Sequence, residues 1–574
     1  MARIQRTFIS SKYLSMLNSG TILIILTAVM GIADTLIAGV MLGQDAVTGI
    51  CLILPVCSLA SFFAVCVSYG VPILYSAKTG AFRKEEADRY FGVGLTVALF
   101  AGLVMLAAVL TGGKAYLRMY SGGGTVYTSA AGYLAWMKYA VLLLPLNELL
   151  SGMVFADGDE RISLAANLAQ GVTKVVLSVI FCRSMGTKGL ALASFLSFAV
   201  SILLSAVHFF RPGNTLKLNL AFSPKILRDI LKFSIVDAST HLFSSLFTFA
   251  ITAFILLRFG ENMLILVSVL TLLRQAQILF EGIGEAITPI IGIYLGEETY
   301  PGVRKVWKMA RRSLWVESVL FAALLLAGAP FIVRLLGIQD PATAANAVLG
   351  LRILSATLIF TCRMFLDSSY FILIEKIGLG VFDSFLRDLC PALPLAALGG
   401  LLGGVTGMFA GLMIAQPLGY LISVLYISRR YGRENYALFI AEAEKRKNVR
   451  LFEFPVKPEN VVAVRDQIGE ALKENACPER QTKRTMLLFE ELFMLIYDNN
   501  PGRTVLAECA VEIGDTVRVI TKDNGRILDL TDTDSSVTSL RSYTLSSLLE
   551  AHTVRRGHFL ALSYNRNVLI IKPE

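Results

Sequence analysis

As far as about position 430, the chain is a succession of long apolar runs separated by short polar breaks. A membrane-crossing helix needs ~20 mostly apolar residues. Twelve stretches qualify: about 14–41, 46–75, 91–111, 131–154, 162–182, 187–210, 231–257, 262–293, 313–333, 344–374, 379–399 and 402–428. Beyond them the pattern changes. Residues 431–449, which include RENYALFIAEAEKRKN, predict a charged amphipathic helix continuing from the last run. LFEFPV then reads as a strand, and ENVVAVRDQIGEALKENA and RQTKRTMLLFEELFMLIYDNN read as helices. VLAECAVEIGDTVRVITKD alternates on either side of Gly514 and Asp515, a hairpin signal. A helix near SLRSYTLSSLLEAH follows, then a second hairpin, HFLALSYNRNVLIIK, turning at Asn565 and Arg566. The expected fold is a polytopic all-α membrane part of twelve helices, followed by an α/β sandwich of helices on one antiparallel sheet.

Composition sharpens the division. The chain is 55% hydrophobic and 17% charged, with a mean hydropathy of +0.63, whereas a soluble protein carries about 25% charged residues. Residues 445–574 hold 37 charged positions in 130, an ordinary soluble value, and residues 1–444 only 59 in 444. A soluble enzyme, a nucleic-acid binder or a secreted disulfide scaffold is excluded as a reading of the whole. Nearly all of the net charge of +10 lies in the membrane part, where topology accounts for it. The loops after the second, sixth, eighth and last apolar runs carry seventeen Lys and Arg, against six in the alternate loops. By the positive-inside rule both termini are cytoplasmic and the C-terminal part is cytosolic. No nucleic-acid partner is needed to explain the charge. The eight cysteines show no metal spacing. Arg3, Arg6 and Lys12 precede a long apolar run without a cleavage motif, which predicts an uncleaved first span.

The membrane part repeats itself. IAGVMLGQDAV, containing Gly43, is similar to ILLRFGENML, containing Gly260, at a separation of 217. PILYSAKTGAFRKEEADR, from Pro72, and PIIGIYLGEETYPGVRKVWK, from Pro289, have the same separation. Six spans per half make the repeats parallel, a transporter architecture with the substrate path between two lobes.

At these anchors the chain resembles a known family. GIADTLIAGVMLGQDAVTG, FADGDERISLAANLAQG, FEGIGEAITPIIGIYLGE, LGLRILSATLIF and DSFLRDLCPALPL are similar, in order, to segments of the multidrug and toxic compound extrusion (MATE) family. The resemblance covers roughly residues 10–430. It implies a V of two six-helix lobes, 1–215 and 216–430, opening alternately to either side. It also implies export of organic, often cationic, compounds in exchange for protons or sodium ions, from a bacterial cytoplasmic membrane.

Charges at membrane depth are costly, so each is a functional candidate. Asp34 stands at the family's first-span aspartate, where protonation or cation binding bends the helix. In the family's fifth span an Asn and an Asp four residues on complete the cation site, whereas here those positions are Lys174 and Ser178. A fixed ammonium competes with any cation, so Asp34 and Lys174 are expected to form an ion pair that opens and closes during transport. Glu281 falls where family members line the cavity, which makes it a candidate for coupling as well as for substrate. Glu148, which follows Pro145 and Asn147, and Glu285, which shares a face with Glu281, are further cavity candidates. So is Asp367, which has Arg363 one turn before it as a self-neutralising partner. Such carboxylates hold a cation by charge while aromatic and Met side chains give tolerant apolar contact. Asp157 and Asp159, at a cytoplasmic span end, are expected to be solvated or paired with nearby basic residues.

Residues 450–574 resemble the histidine-kinase-like ATPase fold, most closely anti-sigma-factor serine kinases. FEELFMLIYDNN aligns Glu491 with the catalytic Glu, KDNGRILD aligns Asp523 and Gly525 with the adenine-binding box, and YNRNVLIIKP resembles the closing hairpin. Two features depart from that family: Leu495 stands where the magnesium-binding Asn belongs, and SLRSYTLSS lacks the phosphate-lid glycines. ATP hydrolysis is therefore not expected, and no cofactor is required. A regulatory role with a nucleotide or a cytosolic protein as ligand is the leading reading. The alternatives for the whole chain are a membrane sensor signalling through the kinase-like domain and a lipid-linked sugar flippase. The flippase predicts a cationic cavity, unlike the acidic candidates here.

Overall fold

The computed structural model describes residues 7–571, apart from 81–82, 121–123, 212–213, most of 261–279, 336–339, 527–554, 557–564 and the single positions 158, 215 and 515. The chain packs as two compact units. One comprises Asn18–Glu285 with Arg311–Arg430, and the other Met1–Leu17 with Ala286–Ala310 and Tyr431–Glu574. The C-terminal residues thus share a unit with two short pieces of the helical part, a division that differs from a cut at 430.

The helical part runs α1 (Phe8–Met41), α2 (Gln44–Ser68), α3 (Gly70–Gly80), α4 (Lys84–Tyr120), α5 (Gly124–Ala156), α6 (Glu160–Met185), α7 (Thr187–Ala206) and α8 (Pro224–Phe259). It continues with α9 (Glu281–Gly296), α10 (Tyr300–Leu335), α11 (Pro341–Ser355), α12 (Leu358–Leu373), α13 (Ile377–Asp388) and α14 (Ala392–Tyr431). Among the described residues seven helices are long and apolar enough to cross a membrane, or nine when each bent pair is one span. One such pair is α11 and α12, bent by 50°. Large apolar side chains such as Val316, Leu324 and Leu402 point outwards, as lipid contact demands and water would penalise.

The repeat is written in the turns. Gly43, between α1 and α2, has φ 87 and ψ −176, and Gly260, at the end of α8, has φ 85 and ψ 174. Gly186, between α6 and α7, has φ 60 and ψ −137, and Gly404, inside α14, has φ 63 and ψ −149. Only glycine adopts such backbone readily. The pairs are 217 and 218 residues apart. At Gly403–Gly404 the chain doubles back, so that α14 is two helices, and a Cβ on Gly399 would lie 2.1 Å from the Gly407 carbonyl oxygen. The two arms meet backbone to backbone, the contact that small residues permit between membrane helices.

The residues expected to form one helix over 431–449 do not. Gly432 takes φ 88, which ends α14, and a short helix α15 (Ala441–Arg446) leads into strand β1 (Asn448–Pro455). Helices α16 (Pro458–Glu474) and α17 (Glu479–Asp498) follow, then β2 (Leu506–Ile513), β3 (Val517–Asp523), β4 (Arg555–Arg556) and β5 (Asn565–Ile571). The sheet is antiparallel throughout, in the order β1-β2-β3-β5-β4. Its core face packs Cys509, Val511, Val519 and Leu569 against the helices, with Phe454, Phe489 and Phe493 in mutual ring contact. Asn565 and Arg566 are the first rungs of β5, opposite Asp523 and Lys522. The turn expected at those two residues is therefore not there. The helix expected near 539–552 lies outside the described residues.

Candidate functional site

Among the buried polar clusters of the helical unit, two stand in different halves of the repeat. In the first, Lys174 on α6 donates to Asp34 Oδ2 on α1 at 2.6 Å, and the Tyr133 hydroxyl on α5 donates to the same oxygen at 2.7 Å. Lys174 also donates to the Ser194 hydroxyl on α7. Asp34, Lys174, Tyr133 and Ser194 are all buried. The donors converge on one carboxylate oxygen, and Asp34 Oδ1 has no hydrogen-bond partner among the described residues. A buried acceptor without a donor is costly. The ion pair inferred from sequence is thus present. Tyr133 and Ser194 complete it; nothing in the sequence points to either, because neither residue type is unusual in a membrane helix.

The second cluster centres on Arg387 of α13. Its Nη2 reaches Asp388 Oδ2 at 2.7 Å and the Thr240 hydroxyl of α8 at 2.9 Å. Its guanidinium carbon sits 3.4 Å from the centre of the Phe365 ring, a cation–π arrangement. Arg363 and Asp367 form the expected pair on α12, with contacts of 2.9 and 3.1 Å. Asp383, buried and accepting from Ser423, has no salt bridge among the described residues. Thr240, Asp383, Arg387 and Asp388 escaped the sequence reading, although RD inside the run DSFLRDLCPALPL was a visible signal. Applying the repeat offset of 217 to Lys174 gives position 391, one helical turn beyond Arg387. Lys174 and Arg387, both buried, thus stand at comparable places in the two halves.

The MatE family model matches residues 21–180, the stretch that holds Asp34, Tyr133 and Lys174. Solved structures extend the likeness to about three quarters of the chain. An outward-facing multidrug resistance MATE family transporter of the MOP superfamily matches with a TM-score of 0.67 at 19% identity, covering 74% of this chain and 96% of its own. The fold is that of a MATE transporter. An inward-facing structure of such a transporter matches at 0.59 and 21% identity, over 70% of this chain and 94% of its own. A MOP superfamily transporter from Pyrococcus furiosus, described as having a binding pocket of reversed polarity, matches at 0.66 and 19%, over 74% and 96%. No curated protein matches the chain.

Within this MATE fold the other candidates lie on α5, α9 and α12. Glu148 on α5 is half-buried beside Asn147, whose amide reaches Gln170 of α6 at 3.3 Å. Glu281 opens α9 half-buried. Glu285 lies in the same helix, but its side chain is outside the described residues. Asp157 is buried, and Asp159 pairs with Arg211 at 3.2 Å. His208, beyond α7, has Nε2 2.9 Å from Asp157 Oδ2 and Nδ1 3.2 Å from Asp159 Oδ2. Tyr75 donates to the other Asp157 oxygen at 2.9 Å.

In the C-terminal unit, Asp523 is buried at the end of β3. Its Oδ1 accepts from the Gly525 amide and from the Asn565 side chain, both at 2.9 Å. A Cβ on Gly525 would meet the Asn500 amide nitrogen at 2.8 Å. One oxygen of the Asp523 carboxylate is thus held by the chain's own amides. Leu495 packs against the hydrophobic core, and Glu491 is half-buried on the same helix. Burial pushes the Cys477 thiol up, and that of Cys509 further.

Proposed function

We propose that the chain is a secondary active exporter of organic cations driven by proton antiport, with twelve spans, cytoplasmic termini and a cytosolic regulatory domain at residues 450–574. The observation that carries this reading is the buried Asp34–Lys174 pair with one carboxylate oxygen left without a donor. The tethered ammonium already fills the place a sodium ion would take, which favours a proton as the coupling ion. Protonating Asp34 removes the charge that holds Lys174. The freed ammonium then repels a cationic substrate held by Glu148, Glu281, Glu285 or Asp367, and promotes its release. Loss of the proton to the opposite side re-forms the pair and resets the site. The C-terminal domain acts as a protein-interaction or ligand-sensing module, a reading supported by Leu495 in the core and by the amides around Asp523.

Uptake of ethidium into inverted vesicles under an imposed proton gradient tests the reading. Gradient-driven uptake is expected from the unaltered chain and is expected to vanish in Asp34→Asn. In Lys174→Met, uptake that follows a sodium gradient in place of the proton gradient would support the tethered-cation role. Coupling to protons that survives Asp34→Asn would overturn it.

A further inference from the structure

The sheet of the C-terminal unit has a second face, opposite its two helices, and the strand register aligns four charges across it. Glu453 on β1 faces Glu508 on β2, Glu508 faces Lys522 on β3, and Lys522 faces Arg566 on β5. The row reads acid, acid, base, base. Burying such a row is costly unless each charge is paired. Its partners come from two distant parts of the chain within the same compact unit. Glu297, just after α9, pairs with Lys522 at 2.6 Å and with Arg566 at 2.7 Å. The Tyr294 hydroxyl donates to Glu508, and Lys522 lies 4.0 Å over the Tyr294 ring. Lys305 on α10 pairs with Glu453, and the Ile9 amide of α1 donates to Glu453 at 3.0 Å. Glu297, Glu508 and Lys522 are almost wholly buried. Acidic meets basic along the full row.

We infer that this face is a staple. It holds the start of α1, from the first half of the repeat, together with the α9–α10 linker, from the second. A contact made in one conformation and broken in another holds the first by its full strength. Parting those two segments separates Glu453 from the Ile9 amide or from Lys305, and pulling the linker away strands Lys522 and Arg566 without Glu297. The staple therefore restrains any transport step that moves the halves apart at this end. A ligand or protein taking the sheet face would release it. Lys522 and Asp523 are neighbours on β3 with side chains on opposite faces of the sheet. The consequence for transport rests on the exporter reading, but the contact itself does not.

Hydrogen exchange on the full chain in liposomes, followed by mass spectrometry, tests the staple with Glu297→Ala, which alters the linker and leaves the sheet untouched. Exchange is expected to rise about tenfold both in 290–305 and in 8–17, with strand 506–513 unchanged. A rise in 290–305 alone would show two independent anchorages and overturn the staple. Should 506–513 also lose protection, Lys305→Ala gives the decision on the same peptides. Proton-driven ethidium movement in the released variant is expected to quicken severalfold. An unchanged or slower rate would overturn the restraint. No ethidium movement by the unaltered chain would count against the exporter reading, while exchange would still decide the staple.

Discussion

Asp34 receives hydrogen bonds from residues 99 and 140 positions away, and Lys174 reaches across 20 positions to Ser194. A lysine inside an apolar run is legible because the membrane makes it expensive, and an aspartate within reach of the same depth is its natural partner. Tyr133 and Ser194 are legible only once the helices have packed. Removing one member of a buried pair leaves the other charge uncompensated, at a cost of about 3–5 kcal/mol, whereas replacing both with groups of similar shape is often neutral. Asp34→Asn and Lys174→Met should each lower stability by about that amount, and the double variant should recover most of it. Denaturant titration in detergent checks this through the double-mutant cycle. Two additive losses would mean that the side chains act separately and that the short contact contributes nothing.

Elements were most legible where glycine and periodicity agreed. The 217-residue spacing of Gly43 and Gly260 was visible in sequence, and their matching backbone angles give it a physical basis. Strands and helices of the C-terminal sheet followed the apolar alternation closely. The failures lie where one residue decides. Gly432 turns the chain out of a helix that composition alone would continue, and Asn565 and Arg566 look like turn residues but serve as partners to Asp523 and Glu297. The doubled helix α14 yields a test at this scale. A methyl group at Gly399 meets the Gly407 carbonyl oxygen, while one at Gly403 meets nothing within 4 Å. Gly399→Ala should therefore cost about 1–3 kcal/mol by overpacking, and Gly403→Ala should stay within about 0.5 kcal/mol. Melting of the two variants side by side in detergent measures the contrast, and equal losses would deny the backbone contact.

Across the whole molecule, the division into a lipid-facing unit and a charged C-terminal unit was plain from charge density. The recruitment of 286–310 and the first residues into the C-terminal unit was not. Those segments read as span ends and the polar stretches beside them, and only the sheet register reveals why charges as distant as Glu297 and Glu453 meet there. The C-terminal unit also differs in how it should respond to alkali. Glu298 and Glu512 hold the Lys447 ammonium above its ordinary value of 10.5, so its contribution is complete below 10.5 and lost as pH rises through the higher folded value. Burial pushes the Cys509 thiol up from 9.0. The unfolded chain sheds that proton above 9.0 while the folded chain keeps it, so folding loses stability from there upward. Both groups act in the same direction. Raising pH from 8 to 11 should loosen strands 506–513 and 517–523 before α4–α7, as limited proteolysis of the full chain would report. Cys509→Ala should postpone the loosening, because it removes the thiol that begins to ionise first. If the variant and the unaltered chain open at the same pH, the thiol contributes nothing and the lysine pair alone sets the limit.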